Sequence, residues 1–154
     1  MNDNSQTLSC VMIPVGGRQL LLPNVSIAEV VDYASNDPSA GAPDWLAGRL
    51  DWRGLDLPVI SYDAANGGTL AIPGENRGRI VVLNTISNNN HKKLRFMALI
   101  TQGIPSQVRI TEEQIKQLEG ENGPADLMQV DVDGEAAWIP NLDYLESLAS
   151  ELPG

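Results

Sequence analysis

Arg53 and Glu29 are the side chains of this sequence best suited to recognition chemistry. Arg53 stands in Asp51-Trp52-Arg53-Gly54-Leu55. Gly accepts positive φ at little cost, so Arg53-Gly54 reads as a tight turn between two strands. A guanidinium at a hairpin tip presents a planar fork of donors to a partner carboxylate. The same side chain could instead brace its own turn, by bonding carbonyls or by pairing with Asp51 or Asp56. Glu29, in Ile27-Ala28-Glu29-Val30-Val31, is either a solvated outward carboxylate or a contact residue. Gly48 suits a strand position that needs close backbone approach. Trp45, Trp52 and Trp138 are the three tryptophans. Trp is common at binding hot spots, and packing in the core is the competing role for each. If one of them is exposed, Trp52 is the choice.

Catalytic and metal chemistry find no footing. His91 is the sole histidine and sits in Asn88-Asn89-Asn90-His91-Lys92-Lys93, a polar turn. Cys10 is the sole cysteine, and the two share no familiar metal-ligand spacing. No Ser-His-Asp or Cys-His constellation can be assembled. Asp131-Val132-Asp133-Gly134-Glu135 begins like a calcium loop but lacks the Gly-x5-Glu continuation and the flanking helix pair, so it reads as a hairpin turn. Gly16-Gly17 and Gly67-Gly68 lead into neither a Lys-Ser/Thr step nor a Gly-x-Gly-x-x-Gly pattern. The expectation is a protein without catalysis, cofactor or metal. A small-barrel enzyme is the weaker alternative.

Composition narrows the partners. The net charge is −10, from 20 acidic and 10 basic side chains. Nucleic-acid affinity depends on Lys and Arg neutralising phosphates, so that partner class is disfavoured, and an anionic membrane surface is disfavoured likewise. The acidity either keeps the protein soluble or meets a basic partner surface. No apolar run approaches the 18 or so residues of a membrane span, so no direct insertion is expected. The start, Met1-Asn2-Asp3-Asn4-Ser5-Gln6, lacks the layout of a signal peptide. With one cysteine no internal disulfide can form, and the setting expected is reducing and cytoplasmic.

The elements that must hold Glu29, Gly48 and Arg53 are short strands. At 154 residues the chain makes one domain, or two small subdomains sharing a core. Its 14 Gly and 10 Pro are spread along the chain, which favours many strands joined by turns. Leu8–Val15 and Arg18–Leu22 read as a hairpin across Gly16-Gly17. Asn24 or Ser26 is placed to cap one helical turn around Ile27–Glu29. Residues 34–43 and 66–78 are soft, turn-rich excursions. Leu46–Trp52 and Leu55–Ile60 form the hairpin carrying Arg53. Leu46, Gly48, Leu50 and Trp52 share one face, and Ala47, Arg49 and Asp51 the other. Pro58 lacks an N–H, which predicts an edge strand, at least locally. Arg79–Ile86 is a buried central strand, answered by Leu94–Ile100 after a turn at 88–90. Thr111-Glu112-Glu113-Gln114 matches a capping box and Ile115 and Leu118 are helically spaced, which predicts a short helix near 111–119. Leu127–Val132 and Glu135–Ile139 form a last hairpin across Asp133-Gly134. A terminal helix over 141–149 puts Leu142, Leu145 and Leu148 on one face.

Residues 20–62 resemble the signature of the CheW-like chemotaxis coupling family. Gly48, then Arg53-Gly54 after four residues, then Leu57-Pro58-Val59-Ile60 stand in that family's order and spacing. Leu22-Pro23-Asn24-Val25 followed by Ala28-Glu29-Val30-Val31 resembles the segment before it. The resemblance runs more loosely to about Leu148. It implies a mostly β fold of two small five-stranded SH3-like barrels sharing a core. The single CheW-like domain would span 1–154, with the first barrel near 8–63, the second near 79–139 and a C-terminal helix at 141–149. It implies an adaptor joining the cytoplasmic tip of a chemoreceptor to the CheW-like domain of a CheA-type histidine kinase. Glu29, Gly48 and Arg53 would be its partner-binding residues. The alternative is a protein-interaction module outside chemotaxis. The second half departs from the family. Leu99–Ser106 replaces the usual apolar-Val-Asp segment, no acidic residue falls there and Pro105 is added. That departure suits a specialised member, such as one in a pilus-linked chemosensory system for twitching motility.

Overall fold

The computed structural model describes residues 7–16, 18–32, 42–68, 78–85, 95–120 and 122–150, the last without the Ser150 side chain. His91, the turn at 88–90 and most of the two excursions, 34–41 and 69–77, lie outside the described residues.

Eleven described strands form two sheets. The strands are β1 (Thr7–Val15), β2 (Arg18–Pro23), β3 (Ile27–Asp32), β4 (Leu46–Trp52), β5 (Leu55–Ile60), β6 (Arg79–Asn84), β7 (Phe96–Ile100), β8 (Ser106–Thr111), β9 (Ile115–Leu118), β10 (Asp126–Val132) and β11 (Glu135–Pro140). One sheet runs β8-β1-β2-β11-β10-β9 and the other β3-β6-β7-β5-β4. The stretches 8–63 and 79–139 each contribute strands to both sheets. Two α-helices, α1 (Tyr62–Ala65) and α2 (Leu142–Ser150), and two 3-10 turns, Asn24–Ser26 and Glu112–Gln114, complete the described elements.

Three apolar clusters explain why the strands read as they do. One lies inside the five-stranded sheet and holds Leu50, Trp52, Val59, Ile80, Val82 and Ala98. Another lies inside the six-stranded sheet, around Cys10, Met12, Leu21 and Val130. The third lies between the sheets and holds Val11, Ile13, Leu20, Val81, Leu99 and Leu145. Side chains alternate along a strand. Val82 and Ile80 therefore enter one cluster while Val81 and Leu83 enter another. Both faces of β6 and β7 are covered, and that is the physical reason for the unbroken run Ile80-Val81-Val82-Leu83.

Two of the two-residue turns, Arg53-Gly54 and Asp133-Gly134, behave as the sequence predicts, and Gly17 lies outside the described residues. Arg53 and Gly54 have φ of 50° and 79°, and Asp133 and Gly134 have 51° and 93°. Positive φ at both central positions matches the right-handed twist of the flanking strands. Gly54→Ala is expected to cost about 1 kcal/mol, because a Cβ is strained in the left-handed region. Chemical denaturation of the folded variant checks this.

Three local expectations are corrected. The helical turn after Pro23 lies at Asn24–Ser26, and Ile27–Glu29 already belong to β3, where β6 offers a ladder. The stretch after Gln114 is strand β9, not helix. Gln114 Oε1 does accept from the Thr111 N–H over 2.9 Å, as the box predicts, but the turn is a single 3-10 turn. So short a helix carries the full nucleation cost, whereas the open side of β10 pairs with Ile115–Leu118. Strand β5 is interior, with β4 outside it. Its pairing to β7 involves only Val59 and Ile60, just beyond Pro58, so the missing N–H still marks where one ladder stops.

Candidate functional site

Sheet curvature builds the site. β3 and β4 are opposite edges of the five-stranded sheet, yet side chains from the two meet. Trp52 Nε1–H donates to Glu29 Oε1 over 2.9 Å, and Arg53 Nη2 donates to the same oxygen over 3.1 Å. The sheet therefore wraps until its two edges face each other, as an SH3-like barrel requires. Trp52 and Phe96 meet edge to face inside that wrap, with ring centroids 4.9 Å apart.

The cluster has a rigid side and a free side. Trp52 is 7% exposed and held in the barrel interior. The side chains of Arg53 and Glu29 are 68% and 40% exposed. The Arg53 guanidinium lies over the Trp52 ring, 4.6 Å from its centroid. An exposed ion pair contributes only about 0–1 kcal/mol, so Arg53 can exchange its carboxylate at small cost. Leu55, two residues after Arg53, is partly exposed, whereas Val30, also partly exposed, lies on the opposite face of β3 from Glu29.

Two of the three residues singled out from sequence are thus brought together. Arg53 does not pair with Asp51 or Asp56 in its own hairpin. Asp56 is approached by Arg49 at 3.7 Å instead. Gly48 is elsewhere, buried toward the other end of β4 opposite Val59. The pairing of β4 with β5 shifts between Leu46 and Gly48, and that irregularity puts Ala47 inside as well. Trp52, the choice had any tryptophan been exposed, packs in the core instead, where the wrapped edge strand β3 covers it. Trp45 and Trp138 are partly buried against the core between the sheets.

A second polar centre went unread in the sequence. Asp126, with a fully buried side chain, accepts from Arg18 Nη1 at 3.1 Å, Tyr62 Oη at 2.6 Å, Asn66 Nδ2 at 3.1 Å and the Gly123 N–H at 2.8 Å. Burial alone would raise the Asp126 pKa, but these donors outweigh it and hold the group below the usual carboxylate range. Burial, and next the bond to Asp126, push the Tyr62 phenol above its ordinary value. Arg18 belongs to β2 and Asp126 to β10, while Tyr62 and Asn66 follow β5. The centre therefore ties one sheet to the other. Arg18 also lies over the Trp138 ring at 4.3 Å.

At the end of the six-stranded sheet an apolar cleft of about 420 Å³ opens between Leu8, Leu21, Pro23, Ile110, Ile115 and Ile139. Leu8 at its rim is 57% exposed. Among the described residues no group of three or more His, Cys, Asp or Glu is gathered as metal ligands. Among them, too, no helix is long and apolar enough to cross a membrane.

The structure combines two sheets around a shared core, an Arg-tipped hairpin and an apolar sheet end. The family model of the CheW-like domain matches residues 9–148. The chain belongs to the CheW-like family, whose members are scaffolds in chemotaxis signal transduction. Among solved structures it is similar to the scaffolding protein TtCheW from Thermoanaerobacter tengcongensis. That likeness has a TM-score of 0.72 at 18% identity and covers 89% of this chain and 90% of that one. At such identity the likeness is one of fold. No curated protein matches the sequence.

Proposed function

We propose that this protein is a non-catalytic cytoplasmic adaptor that couples chemoreceptor tips to a CheA-type histidine kinase, with Glu29 and Arg53 in its docking surfaces and Gly48, buried in β4, as a packing position of the strand that leads to Arg53. The observation that carries the reading is the exposed Glu29–Arg53 pair, joined at 3.1 Å across the closure of the five-stranded sheet. A guanidinium displayed on an aromatic face at a hairpin tip can trade an internal carboxylate for a partner's. Family membership supplies the partner classes. The receptor's helical hairpin would meet the surface that holds Glu29 and Arg53. The CheW-like domain of the kinase would meet a barrel end, and the apolar cleft beside Leu8 offers such an end. Two preformed surfaces on one β-rich body hold two partners in fixed geometry, and signalling is a shift in their relative populations. The atypical Leu99–Ser106 segment is the feature that favours a specialised, pilus-linked system.

The test is binding of the purified protein to each partner separately, the kinase's CheW-like domain and the receptor tip. Wild type is expected to bind at least one with an affinity of about 1–100 µM, the range of small and transient interfaces. Glu29→Lys, confirmed as folded, is expected to weaken one partner and spare the other. Failure of wild type to bind either partner would leave a shared fold and no coupling role.

A further inference from the structure

Glu29 meets two donors of very different mobility. Arg53 reaches it from a turn, on a long and mostly exposed side chain. Trp52 reaches it with a ring fixed by packing, 7% exposed and edged by Phe96. Both bonds end on Oε1. The indole N–H is therefore the bond that persists when the guanidinium leaves. A carboxylate losing the Arg53 cation would swing into solvent, toward whatever acidic group had just claimed the Arg. Held by the indole, it stays folded against the barrel edge. The same ring supports the departing cation, since a guanidinium over a Trp face is attracted even at exposed sites.

We infer that Trp52 is a positioning residue. It anchors Glu29 independently of Arg53, and so leaves Arg53 free to pass to a partner carboxylate without exposing a repelling charge. The functional half of this inference rests on the reading of Glu29 and Arg53 as docking residues. The anchoring half does not.

The experiment follows the Trp52 indole N–H by NMR in the full chain, with Trp45 and Trp138 as internal controls. Solvent exchange of the Trp52 indole is expected to speed up by about fivefold or more in Glu29→Ala, which removes the acceptor. In Arg53→Gln it is expected to change less than about twofold, because the indole bond does not need the guanidinium. Equal acceleration in both variants would overturn the inference, and so would a wild-type indole that already exchanges as fast as in Glu29→Ala. Trp52→Phe, which keeps a packed ring and removes the N–H, is then tested for docking. Partner binding is expected to weaken by about threefold to tenfold with Arg53 and Glu29 both present. Unchanged docking by folded Trp52→Phe would overturn the functional half. If wild type binds no partner, the docking role falls while the exchange result still decides the anchoring.

Discussion

Asp126→Ala is expected to destabilise the fold by about 3–5 kcal/mol, the range for removing one member of a buried charged network. The size follows from what is left behind. Arg18, the Tyr62 hydroxyl, the Asn66 amide and the Gly123 N–H all converge on this carboxylate, and every one is a donor. Tyr62 keeps the Ala125 carbonyl as an acceptor at 2.8 Å, and Arg18, partly exposed, keeps access to water. Asn66 and Gly123 have less recourse. Native stability is typically about 5–15 kcal/mol, so the variant is expected to sit near the limit of folding. Asp126→Asn serves as the graded companion. It keeps one carbonyl oxygen but sets an NH2 against other donors, so its cost is expected to fall between wild type and Asp126→Ala. Urea titration of all three proteins checks the order. A loss below about 1 kcal/mol for Asp126→Ala would mean that the centre contributes no more than a surface ion pair.

The same centre sets a direction with pH. Asp126 is held below its unfolded value, so its contribution is present above the unfolded carboxylate pKa of about 3.9 and fades as pH falls through the folded one. Asp63 runs the other way. Burial raises its pKa despite the Gly16 N–H that it accepts over 3.0 Å, so its contribution is present below the unfolded value and is lost as pH rises. The difference in stability between wild type and Asp126→Asn cancels Asp63. That difference is expected to be constant above about pH 5 and to shrink with acidification toward pH 3. A difference that grew with acid would contradict the assignment.

The strand frame was legible because it is local. Alternation, Gly at tight turns and unbroken β-branched runs each report the environment of a few neighbouring residues. Where two environments compete, local signals mislead. Thr111–Leu118 carries a genuine capping box, and Gln114 makes the predicted bond. The outcome beyond it was decided by β10, a strand that begins well after the box and whose free side the local pattern cannot report. Pro58 was read correctly as unable to donate, yet the ladder to β7 starts at the next residue, so an interior strand carries a local gap. The site was half legible. Glu29, Gly48 and Arg53 stood out, but nothing local says that Glu29 reaches Arg53, because their meeting depends on the whole sheet curling. Trp52 is a core residue, the role the sequence allowed each tryptophan, but nothing local says that its cover comes from the far edge. Asp126 carried no signal at all. Its donors lie 60 or more residues away, apart from Gly123, and no spacing rule joins them.

Arg53→Glu is expected to weaken docking by at least about tenfold, which corresponds to about 1.4 kcal/mol, while leaving the fold almost intact. The internal pair is exposed, so its loss changes stability by no more than about 1 kcal/mol. At an interface the balance differs. A partner carboxylate that pairs with Arg53 is partly desolvated there, and a reversed charge leaves it facing another carboxylate, which costs several kcal/mol at close range. Glu29→Lys with Arg53→Glu restores an internal pair of opposite polarity. If the internal pair alone sets the docking surface, the double variant should recover binding. If Arg53 must reach a partner acid, it should not. The expected result is no recovery, with the salt dependence of binding reduced in both Arg53 variants. Full recovery would recast Arg53 as a brace for the closed sheet edge and remove it from the docking surface.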